Sequence, residues 1–334
     1  MGVVGLGAPW ERCYRSACER LRERLTIVAI WDAVPAQAHL AAVGWQARVA
    51  DGLTQLFEIE PLDGVLILNP LWTGCQPLKL ACNHATPAFV ATVPASDLTT
   101  LRDLHVQAHQ RGVLLMTDYS SRYVPASVRL RELTATCLGA VREVRTVVNW
   151  FPRSVGVPGK AMTTVQSEIM LQVLDWCGYI VGSAPQHVSV EPLPSHVVHP
   201  CCPWKVVLEY PAEGCCRPPA IAELFLHETS LTPCTGDDST GYNPPTAGLR
   251  QQPLTFSIRC EHGRAELQMP YAIRWSNGVQ QCEEVLRTDR AGTDVILDHF
   301  CRRLRGGLIP TTDLRDVCQG LELLDKIERI ICRG

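Results

Sequence analysis

The sequence predicts an α/β protein in two parts. A doubly wound parallel sheet of the Rossmann type comes first, and an α+β domain with an open, mostly antiparallel sheet follows. Three observations carry this. Residues Gly2 to Asp32 spell strand, glycine turn, helix, strand and terminal carboxylate. Buried-type apolar runs then alternate with helical patterns up to Asp118. Beyond it, strands follow one another with few helices between them, the mark of antiparallel pairing. The division falls at residues 1–120 and 121–334, and 334 residues suit two cores better than one.

In the opening unit Val3 and Val4 supply a buried strand, Gly5 permits a tight turn, and Gly7 removes the side chain that would obstruct a phosphate. Pro9 suits a first helical turn, where its missing N–H has no partner to lose. Cys13, Tyr14, Ala17, Cys18, Leu21 and Leu25 recur at helical spacing. Asp32 lies about 25 residues past Gly7, near the ~20 expected for a carboxylate that accepts from a ribose hydroxyl. The third glycine of the fingerprint is replaced by Trp10, where close helix–strand packing normally wants a small residue.

Pro35–Val43 reads as a short alanine-rich helix. Asp63–Leu68 is a continuous apolar strand ending at Asn69-Pro70, on the edge where such sheets bind ligands. A helix patterned by Cys75, Leu78 and Cys82 follows, then a strand from Ala88 to Val93 stopped by Pro94. Ser96 caps a helix carrying Leu98, Leu101, Leu104 and Ala108, and Gly112–Asp118 is the next strand. Tyr119–Leu133 is a connecting helix with Pro125 in its first turn, and Gly139 turns the chain into a strand over Val141–Trp150. A helix from Thr163 to Gly178 precedes strands near Val188 and over Lys205–Tyr210, Ile221–Thr229, Leu254–Glu261 and Arg264–Met269, the last two joined at His262-Gly263. Thr232–Pro253 is a polar loop. Helices over Asp294–Leu304 and Thr312–Ile331, each with a capping residue at its start, close the chain.

Composition excludes several classes. A net charge of −3 and the lack of a basic run argue against nucleic acid. No apolar stretch reaches the ~20 residues of a bilayer span, and no signal peptide precedes the first strand, so a cytoplasmic protein is expected. The 16 cysteines are scattered through apolar positions, as small buried hydrophobes. His196, His199, Cys201, Cys202, Cys215 and Cys216 form the one group to weigh for zinc. Adjacent cysteines in extended chain point to opposite faces, so no metal is expected.

Taken together, the arrangement resembles the Gfo/Idh/MocA oxidoreductases. The resemblance rests on Gly5-Leu-Gly7, on Asp63-Gly-Val-Leu-Ile-Leu-Asn69-Pro70, on the Gly112–Tyr123 segment, on Leu138-Gly139, on the helix around Asp175 and on the closing helices. It implies NAD or NADP on Gly5, Gly7, Ala8, Asp32, Asn69, Pro70 and Trp72, a small-molecule ligand, and a homo-oligomer assembled through the second sheet. Phe256, Ile258 and Cys260 are the alternating set that would furnish that contact. It also implies a lysine in a Glu-Lys-Pro motif and an Asp-x-x-x-His pair on the second domain's helix. Here Thr92, Val93 and Pro94 stand in the first, and Glu168 and Gln172 in the second, anchored on Asp175. Valine carries no proton, and glutamine has no titration near neutral pH.

The expectation is therefore a dehydrogenase body whose standard catalysis is absent or replaced, serving as a ligand-binding or partner-regulating protein. The alternative is an NAD(P)-dependent oxidoreductase on a sugar-like or other small substrate with a rearranged site. Glu168, Gln172 and Tyr123 are the candidate catalytic positions, with Asp118, Tyr119, Arg122 and Lys160 as further replacements.

Overall fold

The structure, a computed structural model, describes residues 1–58, 62–70, 73–91, 93, 98–150, 164–193, 204–212, 219–228, 254–287, 289–307 and 312–331. The first sheet is built from β1 (Gly2–Val4), β2 (Ala29–Trp31), β3 (Arg48–Val49), β4 (Val65–Ile67), β5 (Ala88–Val90) and β6 (Leu115–Thr117). Their order is β3-β2-β1-β4-β5-β6 and every pairing is parallel. Such a sheet is covered on both faces, which is why Val65–Leu68 and Ala88–Val90 are apolar throughout and buried. The chain reverses its winding between β1 and β4, and ligands of doubly wound sheets bind outside that point.

Helices α1 (Gly7–Pro9) and α2 (Arg15–Arg20) are joined by a wide turn over Trp10–Tyr14 with i→i+5 geometry, where the sequence predicts a regular helix. Trp10 opens this turn; it is 2 % exposed and belongs to the buried cluster that holds Val3, Leu6 and Tyr14, a bulky side chain where the fingerprint has a glycine. The covering helices are α3 (Pro35–Val43), α4 (Leu53–Glu58), α5 (Gln76–Asn83) and α6 (Leu98–Arg111).

A short helical turn over Ser120–Arg122 and α7 (Pro125–Leu133) lead to the second sheet. Its members are β7 (Val141–Trp150), β8 (His187–Pro192), β9 (Trp204–Tyr210), β10 (Ala220–Glu228), β11 (Thr255–Cys260), β12 (Arg264–Gln268), β13 (Ala272–Ser276) and β14 (Gln281–Val285). The order is β14-β13-β12-β11-β7-β10-β9-β8, antiparallel except for β7 with β10. Helix α8 (Thr164–Val181) covers one face. Helices α9 (Gly292–Leu304) and α10 (Leu314–Ile331) return to the first domain. Among the described residues no helix is long and apolar enough to cross a membrane.

Two expectations are corrected. Phe256, Ile258 and Cys260 point inward at 2 %, 1 % and 6 % exposure, and the Phe256 ring lies 4.0 Å from that of Trp176 on α8. Alternation puts the neighbouring residues outward instead, on a face laced by ion pairs: Arg259–Glu143 at 2.7 Å, Arg145–Glu223 at 2.8 Å and Lys205–Glu191 at 2.7 Å. The second correction concerns α9, which has no side-chain cap. Asp294 instead takes a bidentate pair from Arg20, with both N···O distances at 2.7 Å.

Candidate functional site

The residues that the sequence marks for a nucleotide gather at the carboxyl edge of β1, β2 and β4. Gly5 and Gly7 have φ of +68° and +56°, and an added Cβ on either would strike Asn69: its backbone oxygen from Gly5, its side-chain amide from Gly7. Both glycines are thus required by the close approach of the β4 exit, a reason beyond the phosphate clearance read from the sequence. Asp32 accepts from the Leu6 N–H at 2.7 Å through one oxygen and from the Val34 N–H at 2.7 Å through the other. Its carboxylate therefore shapes the glycine loop while retaining lone pairs for a further donor. Ala8 is exposed and Pro70 buried in the same crevice; Trp72 lies outside the described residues.

A cleft of about 1630 Å³ opens at the carboxyl ends of β5 and β6 and reaches Pro9 of α1, while Gly5, Gly7, Asp32 and Asn69 are not part of its wall. Among the described residues, its lining includes Arg12, Cys13, Tyr14, Val93, Asp118, Glu168 and Gln172, together with outward residues of the second sheet such as Arg145 and Phe225. Val93, Glu168 and Gln172 are thus brought together as the sequence implies. Thr92, Pro94 and Lys160, and the six-residue His/Cys group, lie outside the described residues. Elsewhere among the described residues no cluster of metal-binding side chains occurs, and most of the described cysteines are buried.

The Gln172 amide is held at both ends. Its Nε2 donates to the Asp118 carbonyl at 2.6 Å, and its Oε1 accepts from the Ser121 hydroxyl at 2.8 Å. It fastens α8 to the chain leaving β6. Arg122 does the same beside it, in a bidentate pair with Asp175 and 3.5 Å from Asp316, under the rings of Tyr119 and Tyr179. Tyr123 is not among the cleft-lining residues; its ring meets His299 of α9 edge-on, with centroids 5.0 Å apart.

Asp118 sits at the end of β6 with its N–H on the Val90 carbonyl at 2.8 Å. One carboxyl oxygen accepts from the Tyr14 hydroxyl in a short hydrogen bond, the other from the Ser120 N–H at 2.8 Å. Burial pushes this carboxyl above the ordinary aspartate range, and the hydrogen bonds from Tyr14 and from the hydroxyl and N–H of Ser120 only partly offset it. Burial, with Asp118 beside it, drives the Tyr14 phenol upward as well. The pairing of Tyr14 with Asp118 is the feature that sequence reasoning missed. Tyr14 reads there as one more apolar helix position, and 104 residues separate the partners.

No family model and no curated protein sequence matches the chain. Solved structures do. UDP-N-acetylglucosamine 3-dehydrogenase GnnA from Acidithiobacillus ferrooxidans is similar over 98 % of this chain and 96 % of its own, with 15 % identity and a TM-score of 0.69. Biliverdin reductase from Synechocystis sp. PCC 6803, solved with biliverdin and NADP+, is similar over 98 % of both chains, at 15 % identity and TM-score 0.67. An oxidoreductase from Agrobacterium radiobacter, solved with NAD+, L-tartaric acid and magnesium, covers 100 % of this chain and 96 % of its own, at 14 % identity and TM-score 0.71. At such identities the likeness is one of architecture, and by that measure the chain has the two-domain fold of the Gfo/Idh/MocA-type oxidoreductases.

Proposed function

We propose that this chain binds a nicotinamide nucleotide and a small polar ligand, and that it acts as a ligand-binding or partner-regulating protein without the lysine and histidine proton chemistry of its fold. One observation carries this: Val93 and Gln172 line the cleft at the two positions where that chemistry is expected, and neither exchanges a proton. Valine is 8 % exposed and apolar, and the glutamine amide is fixed by hydrogen bonds to the Asp118 carbonyl and the Ser121 hydroxyl.

The residues fit a dinucleotide at the carboxyl edge. Asp32 stands at the end of β2 with lone pairs to spare for a ribose hydroxyl. Gly7 and Ala8 begin a helix, where the first N–H groups have no partner within the helix. Pro9 contributes no N–H, and that of Leu6 is committed to Asp32, so the phosphate cradle is pared down to those two amides. The nucleotide would supply hydride exchange; the chain's own part is to hold the ribose and phosphates and to shape the cleft. Two similar structures were solved with NADP+ and NAD+, which supports the assignment.

Titration with NADH and NADPH, followed by quenching of tryptophan fluorescence, tests the reading directly, since Trp31 adjoins Asp32. Saturable quenching is expected below millimolar nucleotide; a flat titration would refute nucleotide binding. Asp32→Ala should weaken NADH by ~1.5–3 kcal/mol, the worth of a hydrogen bond to a charged group. That corresponds to about 10- to 150-fold in Kd. An unchanged Kd would show that the ribose is held elsewhere. A second reading, an NAD(P)-dependent oxidoreductase with a rearranged site, is favoured by the Asp118 carboxyl on the cleft wall.

A further inference from the structure

We propose that Asp118, oriented by the Tyr14 hydroxyl, is the group that exchanges a proton with a substrate hydroxyl or carbonyl in this cleft. The inference rests on the oxidoreductase reading. Three geometric facts lead to it. Asp118 lines the same cleft as Val93, Glu168 and Gln172. It is held from three elements: its N–H on β5 through Val90, its carbonyl on α8 through Gln172, and its carboxyl on the first helix through Tyr14. The carboxyl takes hydrogen bonds from the Tyr14 hydroxyl and from the N–H and hydroxyl of Ser120, which leaves about one of its four lone-pair sites for a ligand.

Two neighbouring candidates are already committed: Arg122 is paired with Asp175, and the Tyr123 ring is packed on His299. The Tyr119 hydroxyl has no hydrogen-bond partner among the described residues, but it is buried and turned toward Gly320 of α10, 3.7 Å from where a Cβ there would stand.

The chemistry balances as follows. A secondary alcohol lying against Val93 gives its O–H proton to the Asp118 carboxylate. Its carbinol hydrogen leaves with the bonding electron pair as hydride to an oxidised nicotinamide nucleotide, and the C–O bond becomes C=O. The products are a ketone, the reduced nucleotide and a protonated Asp118; in reverse, Asp118 returns its proton to the forming hydroxyl. Cys13 and Tyr14, on the wide turn between α1 and α2, both feel the Asp118 charge, and Arg12, Tyr119 and Glu168 share the cleft wall with it. Cys13 is pushed up to about 11 by burial and by Asp118, and Tyr14 is raised as well, so both stay neutral through the working range. A carboxyl raised by burial is better matched to proton exchange near neutrality than an ordinary aspartate.

The test uses the full chain labelled with [4-13C]aspartate, with the Asp118 resonance assigned by its loss in Asp118→Asn. Its carboxyl should titrate above the ordinary aspartate value of ~3.9, and Tyr14→Phe should move the titration further up by removing a donor to the charged form. Carbodiimide with glycine ethyl ester, followed by peptide mass spectrometry, should modify Asp118, and saturating NADH should protect it. An ordinary titration, or one that Tyr14→Phe leaves in place, would overturn the proposal. So would modification that bound NADH does not slow, because Asp118 would then lie away from the nucleotide. Failure of NADH to quench tryptophan fluorescence would instead sink the underlying reading, while the two NMR titrations still report on the Tyr14–Asp118 pair.

Discussion

Gly5 and Gly7 look interchangeable in the sequence, yet they meet different atoms. At Gly5 a methyl group would enter the Asn69 backbone, which has no rotamer to change; at Gly7 it would meet the far end of the Asn69 side chain. Both also carry positive φ, worth ~1–2 kcal/mol for an L-residue in the left-handed region. Gly5→Ala should therefore cost more than that strain alone, ~3 kcal/mol or above in urea unfolding, in the upper range for single substitutions. Gly7→Ala should cost less, and adding Asn69→Ala should relieve the steric part. Equal costs, or no rescue, would contradict the assignment. The glycines and Asp32 are legible from spacing because local backbone geometry demands them. The role of Asn69 against Gly7 and the Tyr14–Asp118 bond are not, because each depends on which strand exits lie side by side after folding.

At the scale of elements, α9 illustrates how charge places a helix. Asp298 is buried on it, and burial alone would raise its carboxyl. Arg24 of the first helical segment, with Arg290 and Arg302, outweighs that and holds it below the usual aspartate range. A depressed folded value means that this stabilisation is complete above the unfolded value, ~3.9, and is lost as pH falls through the folded one. Urea midpoints should thus drop on acidification below about pH 4, and Asp298→Asn should flatten that part of the profile while lowering stability at pH 7. A variant whose acid slope matches the parent would remove Asp298 from the account. Most elements follow from their apolar period, and the missed ones are short. Arg48–Val49 has two residues on a sheet edge. Gln281–Val285 is an edge strand rich in glutamate and glutamine. Asn277-Gly278 was the available clue for the hairpin joining Ala272–Ser276 to it, since that dipeptide is a strong turn signal.

For the whole molecule, the buried clusters join residues from both ends of the chain. Ile296, Leu297 and Phe300 of α9 are buried with Val3, Tyr14 and Phe89, and Leu314, Val317 and Leu321 of α10 with Val4, Val90 and Leu104. Each such side chain is worth ~1.5–3 kcal/mol on burial. Together they match the ~5–15 kcal/mol by which a domain is stable at all. A fragment of residues 1–120 is therefore expected to lack a cooperative unfolding transition, whereas the full chain should show one. Calorimetry on the two decides it, and a sharp transition in the fragment would prove the first sheet self-sufficient. This dependence is invisible to a linear reading, because a helix pattern shows that a face is buried without saying on what.

The return of the last helices to the first sheet also fixes an order of events during synthesis. Strands β1 to β6 leave the ribosome long before Phe300 or Leu321 exists, so the part of their apolar faces that α9 and α10 cover must wait while some two hundred further residues are added, at ~5–20 residues per second. Over those seconds the nascent chain is at its most vulnerable to aggregation, and a substitution in α9 or α10 should reveal itself first as a lower yield of folded protein rather than as a defect in the finished molecule.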